Sequence, residues 1–381
     1  MLIIFLSGGV SQFETWDPKQ DTTTGGPFLS IPTSVPGTHV CELLPYTAQQ
    51  MHHLTVVRSM NTHENNHARG QYMMTRGRPQ EPTTDYPDLG AVAAKLLGSK
   101  DAQLPGFIHL ESGRAELGKP TVSGKDAAYL GPQYGSLVIG DCRPPENTSR
   151  FGDLSAEADL ARQDLRRQLN RQFAGRRSAA TAAYTNSFEQ AAQLMRQRAV
   201  FDIEQESAQD QARYGQGGFG RNCLLARRLL EHGTPCVKIV HSQYDTHNEN
   251  FNHHLEQLGD FDRPFATLMA DMAERGLFEQ TLVLVLSEFG RTPKINFRFG
   301  RDHFSAAWSL VLAGCGVQKP AIYGKTSDNG AEVTDKEVDH RQLFHTVLRA
   351  AGIDSTQHFD VDGRPMPVAD PAGSAVEELL A

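Results

Sequence analysis

The residues best suited to chemistry lie in clusters that each follow an apolar run. Asn61-Thr-His63-Glu64-Asn-Asn66-His67 comes after Leu54-Thr-Val-Val57, and His241-Ser-Gln-Tyr-Asp245-Thr-His247 comes after Cys236-Val-Lys-Ile-Val240. Glu288 and then Asp302-His303 follow Thr281 to Leu286, and a loop with Ser7, Glu14 and Asp17 follows Leu2 to Leu6. Asp245 and His247 stand two apart, so an extended segment turns both side chains the same way. A mixture of imidazole nitrogen and carboxylate oxygen suits zinc, manganese or a related divalent ion, and pairs of such ions suit ester hydrolysis. One such acid–base pair is ordinarily a salt-bridged loop, whereas four groups at four strand ends favour a shared site. The expected metal ligands are Asp245, His247, Glu288, Asp302 and His303. His67 is expected as a further ligand or as a proton donor to a leaving group. Arg291 and Arg301 flank this region. A guanidinium binds a tetrahedral oxyanion through paired hydrogen bonds, and ion pairing with Glu288 or Asp302 is an equal alternative. Thr62, Ser11 and Thr75 are available hydroxyls, but none sits in a G-x-S-x-G nucleophile elbow, so a serine-hydrolase triad is not supported.

The elements that must position these residues alternate. The continuous apolar run Leu2–Leu6 predicts a strand covered on both faces, and the mainly apolar stretches Leu54–Val57, Phe107–Leu110, Cys236–Val240, Thr281–Leu286 and Trp308–Ala313 read as further strands. Helices are expected from about His67 to Thr75, Tyr86 to Leu97, Asn222 to His232, Leu255 to Glu274 (one helix or a helical hairpin) and Gln342 to Ala351. The stretch from Leu154 to about Tyr214 is rich in Ala, Gln, Arg and Glu, and reads as two or three amphipathic helices with solvated charged faces. Gly215-Gln-Gly-Gly-Phe-Gly220 lacks the strand before it and the Gly-Lys-Ser/Thr after it that a phosphate loop requires, and reads as a link between helices. A small strand pair is expected within Tyr323 to Val333. The pattern predicts an α/β fold with a largely parallel sheet.

Composition narrows the function classes. The 381 residues are 39% hydrophobic and 22% charged, with a formal charge of −8, which does not suggest a nucleic-acid partner. No stretch approaches the roughly 20 apolar residues of a membrane span. Leu2–Leu6 is too short for a signal-peptide core and follows no basic segment, so a cytoplasmic location is the default expectation. Five scattered cysteines with no C-x-x-C pair argue against a thiolate zinc site or a disulfide framework.

Five motifs then stand out in order and spacing: SGGVSQFETWDPK, THENNHARGQYMMTRGRP, YDTHNENF, LFEQTLVLVLSEFGRTPKIN and GRDHF. From Leu2 to about Arg364 the chain resembles the domain of unknown function 1501 family, bacterial proteins similar to the alkaline phosphatase and sulfatase superfamily. The resemblance implies a three-layer α/β/α sandwich over 1–381, with a helical insertion at about 154–214 and a small C-terminal subregion at about 319–381. It implies metal-dependent hydrolysis or transfer at a sulfate or phosphate ester, on a small-molecule or polysaccharide substrate. Zinc, manganese, calcium and magnesium all remain open as the cofactor.

By the same resemblance Asp245 and His247 stand at a metal-binding Asp and His, Glu288 at a metal-binding Asp, and His303 at a late histidine ligand. Three departures accompany it. Phe289 replaces a histidine, Ser7 replaces the Asp that commonly ends the first strand, and Asn66-His67 occupies the place of the usual nucleophile. Glu14 or Asp17 is a candidate substitute for the missing Asp. The departures admit an alternative, a catalytically degenerate binding or scaffold protein of the cell envelope; relatives often carry export signals. A phosphomutase would need a phosphorylatable hydroxyl near Asn66, where Thr62 is the close candidate.

Overall fold

The computed structural model describes residues 1–99, 102–111, 125–140, 142–143, 152, 154–174, 178–318 and 321–381. Six strands of the main sheet precede the rim hairpin: β1 (Leu2–Leu6), β2 (Leu54–Met60), β3 (Phe107–Glu111), β4 (Leu137–Gly140), β5 (Cys236–His241) and β6 (Leu282–Leu286). A rim hairpin follows, β7 (Gly290–Ile295) with β8 (Arg301–Phe304), and then β9 (Trp308–Gly314) and β10 (Ala321–Tyr323). The eight-stranded sheet has the order β10-β2-β9-β6-β1-β5-β3-β4. Every pairing is parallel except the two made by β9.

That exception has a simple cause. Parallel neighbours need a crossover that carries the chain back to the starting end of the sheet. Between β6 and β9 the chain makes only the hairpin, which leaves and re-enters at the same end, so β9 must run the other way.

The central strands of the sheet are buried on both faces, as their mainly apolar sequences require. Leu2, Ile4 and Leu6 join one core with Val237, Ile239, Val283 and Val285, while Ile3 and Phe5 join a second with Leu284, Leu286 and Leu310. The main helices, in chain order, are α1 (His67–Arg76), α2 (Leu89–Leu97), α3 (Ala156–Ala174), α4 (Ser178–Arg196), α5 (Gly218–Glu231), α6 (Asn250–Glu274) and α7 (His340–Ala350). The first core is closed by α5 and α6 through Leu225, Leu229, Phe261 and Phe265, and the second by α2 and α7 through Val92, Leu343 and Val347. The result is a three-layer α/β/α sandwich with a mostly parallel sheet.

Element boundaries differ from the sequence reading in instructive places. α2 starts at Leu89 rather than Tyr86 because Asp88 caps it, accepting from the Gly90 amide at 2.8 Å. α6 runs as one helix through Pro264. Gly217 is the N-cap of α5, which makes the glycine-rich stretch the expected helix link. Within Tyr323–Val333 the pairing is split: β10 joins the main sheet, and Lys325–Thr326 pairs with Val333–Asp335. α3 and α4 are tied by Arg166 and Arg167, which both reach Glu189. Among the described residues, no helix is long and apolar enough to cross a membrane.

His254, on the second turn of α6, is fully buried. Its Nε2 accepts from the Ser11 amide at 3.1 Å and its Nδ1 donates to the Asn250 carbonyl at 2.9 Å. Burial is the main reason its pKa falls to about 4, and burial likewise lowers that of His109 to about 3. Both histidines are therefore neutral in the fold. As pH falls below the unfolded value of about 6.5 the unfolded chain takes up protons first, so this stability is full above that pH and is lost from about 6.5 down to about 4 for His254 and about 3 for His109. The urea midpoint is expected to drop over this window by the equivalent of a few kcal/mol. A midpoint that holds steady from pH 7 to 4.5 would contradict it.

Candidate metal centre

The carboxyl ends of β2, β5 and β6 open at one end of the sheet, where ligands bind in folds of this kind. The segment after β1 turns at Gly8, whose φ is +109°; a Cβ there would sit 2.5 Å from the Asp245 amide nitrogen. The β1 and β5 loops therefore touch backbone to backbone. α1 begins at His67 because the Asn66 side chain caps it, accepting from the Arg69 amide at 3.2 Å. Gly70 lets α1 lie on the β6 exit, since a Cβ there would meet Glu288 Cβ and Phe289 at 3.3 Å. The rim hairpin holds the β5 loop: Arg301 N donates to the Thr246 carbonyl at 3.1 Å and Asn296 Nδ2 to the His247 carbonyl at 3.0 Å.

These contacts bring His67, Asp245 and His303 to one point, with ligand atoms all within 4.8 Å of one another, and place His247 beside Asp245 and His303. Asp245 Oδ1 lies 3.3 Å from His67 Nε2, 3.2 Å from His247 Nε2 and 3.2 Å from His303 Nε2. The Nε2 atoms of His247 and His303 are 2.9 Å apart. Ligand atoms around a divalent ion at ordinary bond lengths are separated by roughly 3–3.5 Å.

The opposite ring nitrogens decide what these atoms are. His67 Nδ1 meets Glu288 Oε1 at 2.6 Å, His247 Nδ1 meets Asp302 Oδ1 at 2.8 Å, and His303 Nδ1 meets the Asn65 carbonyl at 2.7 Å. Each partner only accepts, so each Nδ1 must donate. A neutral imidazole then presents a lone pair at Nε2. Three such lone pairs and a carboxylate oxygen facing one another require a cation between them, a proton or a metal. The buried His67 Nε2 faces Asp245 Oδ1 at 3.3 Å. Ligating histidines characteristically donate the other ring N–H to a carboxylate or carbonyl. The residues present therefore fit a divalent ion.

With protons alone, the balance is visible in the pKa values. Burial lowers that of His67, but hydrogen bonds and charges from Asp245 and Glu288 outweigh it and raise the pKa to about 9. Burial raises that of Asp245, yet His303, His67 and Arg291 hold it well below the usual carboxylate range. The centre faces solvent on one side, with the Asp245 side chain 46% exposed.

Relative to the sequence reading, His67, Asp245 and His303 meet directly, and His247 joins them through Asp245 and His303. Glu288 and Asp302, expected among the ligands, stand behind His67 and His247 and hold their rings. The reason is geometric: the Glu288 oxygens are occupied by the Gly8 amide at 3.0 Å and Ser287 Oγ at 2.9 Å besides His67. Phe289, in place of a histidine, packs its ring 4.9 Å from that of His67 and 4.6 Å from that of His303, fixing both planes.

Arg291 and Arg301, expected to face an oxyanion, are fully buried. Arg291 Nε donates to the Gly9 carbonyl at 2.8 Å, Nη1 to that of Arg301 at 3.0 Å, and Nη2 to Gly8 and to Asp245 Oδ1, the latter at 2.7 Å. Arg301 bonds Glu14 Oε1 at 2.9 Å and the carbonyls of Thr24, Thr292 and Pro293. Both brace the loops rather than present a free guanidinium. Glu14 is thereby committed to Arg301, and Asp17 lies elsewhere, bonded to Thr326; neither substitutes for the missing Asp at Ser7. Thr75 Oγ1 donates to the Gln71 carbonyl at 2.8 Å, while Thr62 and Ser11 are buried. The Asn65 carbonyl and Ser287 were missed from sequence; a backbone oxygen leaves no trace in residue type, and Ser287 reads as the end of a strand.

Replacing Glu288 by Gln keeps the shape but removes the charge behind His67. Divalent-metal affinity is expected to fall 10- to 100-fold, measured by competition with a chromogenic chelator. Asp302→Asn is expected to cost less, because Asp302 is 58% exposed against 2% for Glu288.

Several solved structures are similar in fold. A protein of the alkaline phosphatase superfamily from Vibrio parahaemolyticus is 12% identical, with 93% of this chain and 67% of that one covered at a TM-score of 0.40. The PsFucS1 sulfatase from Pseudoalteromonas sp. is 13% identical, with 100% and 71% covered at 0.47. The C-terminal periplasmic domain of EcEptC from Escherichia coli, in complex with Zn, is 10% identical, with 97% and 86% covered at 0.43. No curated protein matches the chain. The family described as "Protein of unknown function (DUF1501)" matches residues 1–380, and the chain belongs to that family.

Proposed function

We propose that the protein is a metal-dependent hydrolase acting on a sulfate or phosphate ester, with His67, Asp245, His247 and His303 as the metal ligands. One observation carries the reading: three imidazoles aim Nε2 at a shared carboxylate oxygen while each Nδ1 is committed to a protein acceptor. When bound, a divalent ion at such a site supplies polarisation of an ester oxygen and acidifies water. The chain's own residues do the rest. Glu288, Asp302 and the Asn65 carbonyl fix the tautomers and ring planes, so that lone pairs are presented without rearrangement. Arg291 keeps Asp245 ionised and anchors it to the β1 loop. Phe289 excludes water from the floor beneath His67 and His303.

A second reading is favoured by the burial of Arg291 and Arg301, which leaves neither to hold a developing oxyanion. The chain would then be a metal-holding binding or scaffold protein of the cell envelope, without turnover. Metal analysis of the purified protein followed by a panel of sulfate and phosphate esters separates the two. Stoichiometric metal with metal-dependent turnover is the expected result. Metal without turnover on any ester supports the second reading, and no metal at all ends both.

A further inference from the structure

A second feature of the same rim is not used by the metal centre. A cleft of about 370 Å³ is lined by Lys19, Arg58, Lys325 and Lys336, with Asp17, Asp335, Ile322 and Tyr323 among its walls. Four cations against Asp17, Asp335 and the Glu378 partner of Lys336 leave an excess of positive charge in the cleft on a chain of charge −8. Asp17 is already engaged, with Oδ1 at 3.2 Å from Lys19 Nζ and 3.5 Å from Arg58 Nη1. Lys336 pairs with Glu378 at 3.0 Å. Lys325 is exposed and, among the described residues, forms no ion pair with a carboxylate.

Its place in the fold connects it to the centre. One wall is the β1 loop, whose Gly8 touches Glu288 and Asp245; another is β2, which runs on into Asn65 and His67; a third is the exit of β10. The cleft therefore opens at the same end of the sheet as the four ligands. In the order β10-β2-β9-β6 it lies three strand spacings from the exit of β6, a span of about 14 Å.

We propose that this cleft is a recognition site for anionic groups on a linear sulfated or phosphorylated glycan, whose reacting ester lies at the histidine cluster. The proposal rests on the hydrolase reading and names its substrate class: a chain able to reach both sites, not a single small ester. The aromatic surface of the cleft favours a glycan over nucleic acid. Tyr323 is its one aromatic wall, and Lys336 Nζ covers that ring at 5.0 Å from the centroid. Unstacked bases need free ring faces, whereas sulfate or phosphate groups need only cations and hydroxyls, here with Thr326.

The test is calorimetric titration of the full chain, with and without added zinc, using dextran sulfate and phosphomannan oligosaccharides in parallel to tell sulfate from phosphate. Glucose 6-sulfate and an oligothymidylate are the comparison ligands. At least one glycan is expected to bind ten-fold or more tightly than glucose 6-sulfate. Lys325→Glu is expected to weaken it about ten-fold and Lys325→Gln about three-fold, with metal content and melting temperature unchanged. Arg162→Glu, exposed on α3, is expected to have no effect. The proposal is overturned if Lys325→Glu binds like wild type, if Arg162→Glu weakens binding equally, if glucose 6-sulfate matches the chains, or if the oligothymidylate binds as tightly as they do. Glycan binding in protein that takes up no zinc counts against the hydrolase reading alone. Zinc-loaded protein that ignores every glycan overturns the cleft alone.

Discussion

His303→Ala is expected to remove stoichiometric divalent metal from the protein and, with it, any ester turnover. His303 Nε2 closes the centre on the side of the rim hairpin, 2.9 Å from His247 Nε2 and 3.2 Å from Asp245 Oδ1. Without it Asp245 and His247, on the loop after β5, and His67, at the start of α1, remain as an incomplete set. Losing an orienting partner behind a ligand costs 10- to 100-fold in affinity, so losing a ligand is expected to cost more than 100-fold. Equilibrium dialysis with metal analysis of the retentate checks this. A variant that keeps one equivalent of metal at micromolar free ion would remove His303 from the ligand set. The folded state should also lose the stabilisation that bound metal supplies, about 4 kcal/mol when the ion is at a thousand times its dissociation constant. Chelator should therefore lower the melting temperature of the wild type and leave that of His303→Ala nearly unmoved.

Arg301→Ala is expected to have the largest effect on stability, about 3–5 kcal/mol, because it leaves a buried carboxylate without its counter-charge. Both Arg301 and Glu14 are fully buried, and the pair is made at 2.9 Å. The guanidinium also lies 4.4 Å from the centroid of the Phe13 ring and collects carbonyls from the β1 loop and from the hairpin. Its loss should loosen the hairpin two residues from His303, so metal affinity is expected to fall as well. The double variant Glu14→Gln/Arg301→Ala removes the stranded charge and should recover part of the stability. Urea unfolding of the single and double variants gives the coupling. A cost below about 1 kcal/mol for Arg301→Ala, the range of an exposed pair, would contradict this account.

The central sheet was legible in the sequence for a definite reason. Strands covered on both faces are mostly apolar: β1 and β6 are apolar throughout, while β5 and β9 are interrupted only by Lys238 and His241 and by Ser309, all buried. The rim hairpin was not legible. β7 carries Arg291, Thr292, Pro293 and Lys294, and β8 carries Arg301, Asp302 and His303, a composition that reads as a loop. Its strands are held by pairing with each other and by buried arginines, and arginine is rarely buried without a partner that sequence cannot reveal. The residues of the candidate site were legible by type, because imidazole and carboxylate after strand ends have few other uses in such number. Which atom of each faces the centre was not. Glu288 and Asp302 have the chemistry of ligands, and only the Nδ1 contacts show that they act on His67 and His247.

The placement of β1 carries a consequence for how the chain is made. Its partners in the sheet are β5 and β6, beginning at Cys236 and Leu282. At about 5–20 residues per second of synthesis, Leu2–Leu6 waits on the order of 12–50 seconds for its neighbours to leave the ribosome. Throughout that time five consecutive apolar residues stay unpaired, open to mispairing with other nascent strands. Recovery of native protein should accordingly depend on a holding chaperone that binds the emerging Leu2–Leu6 segment.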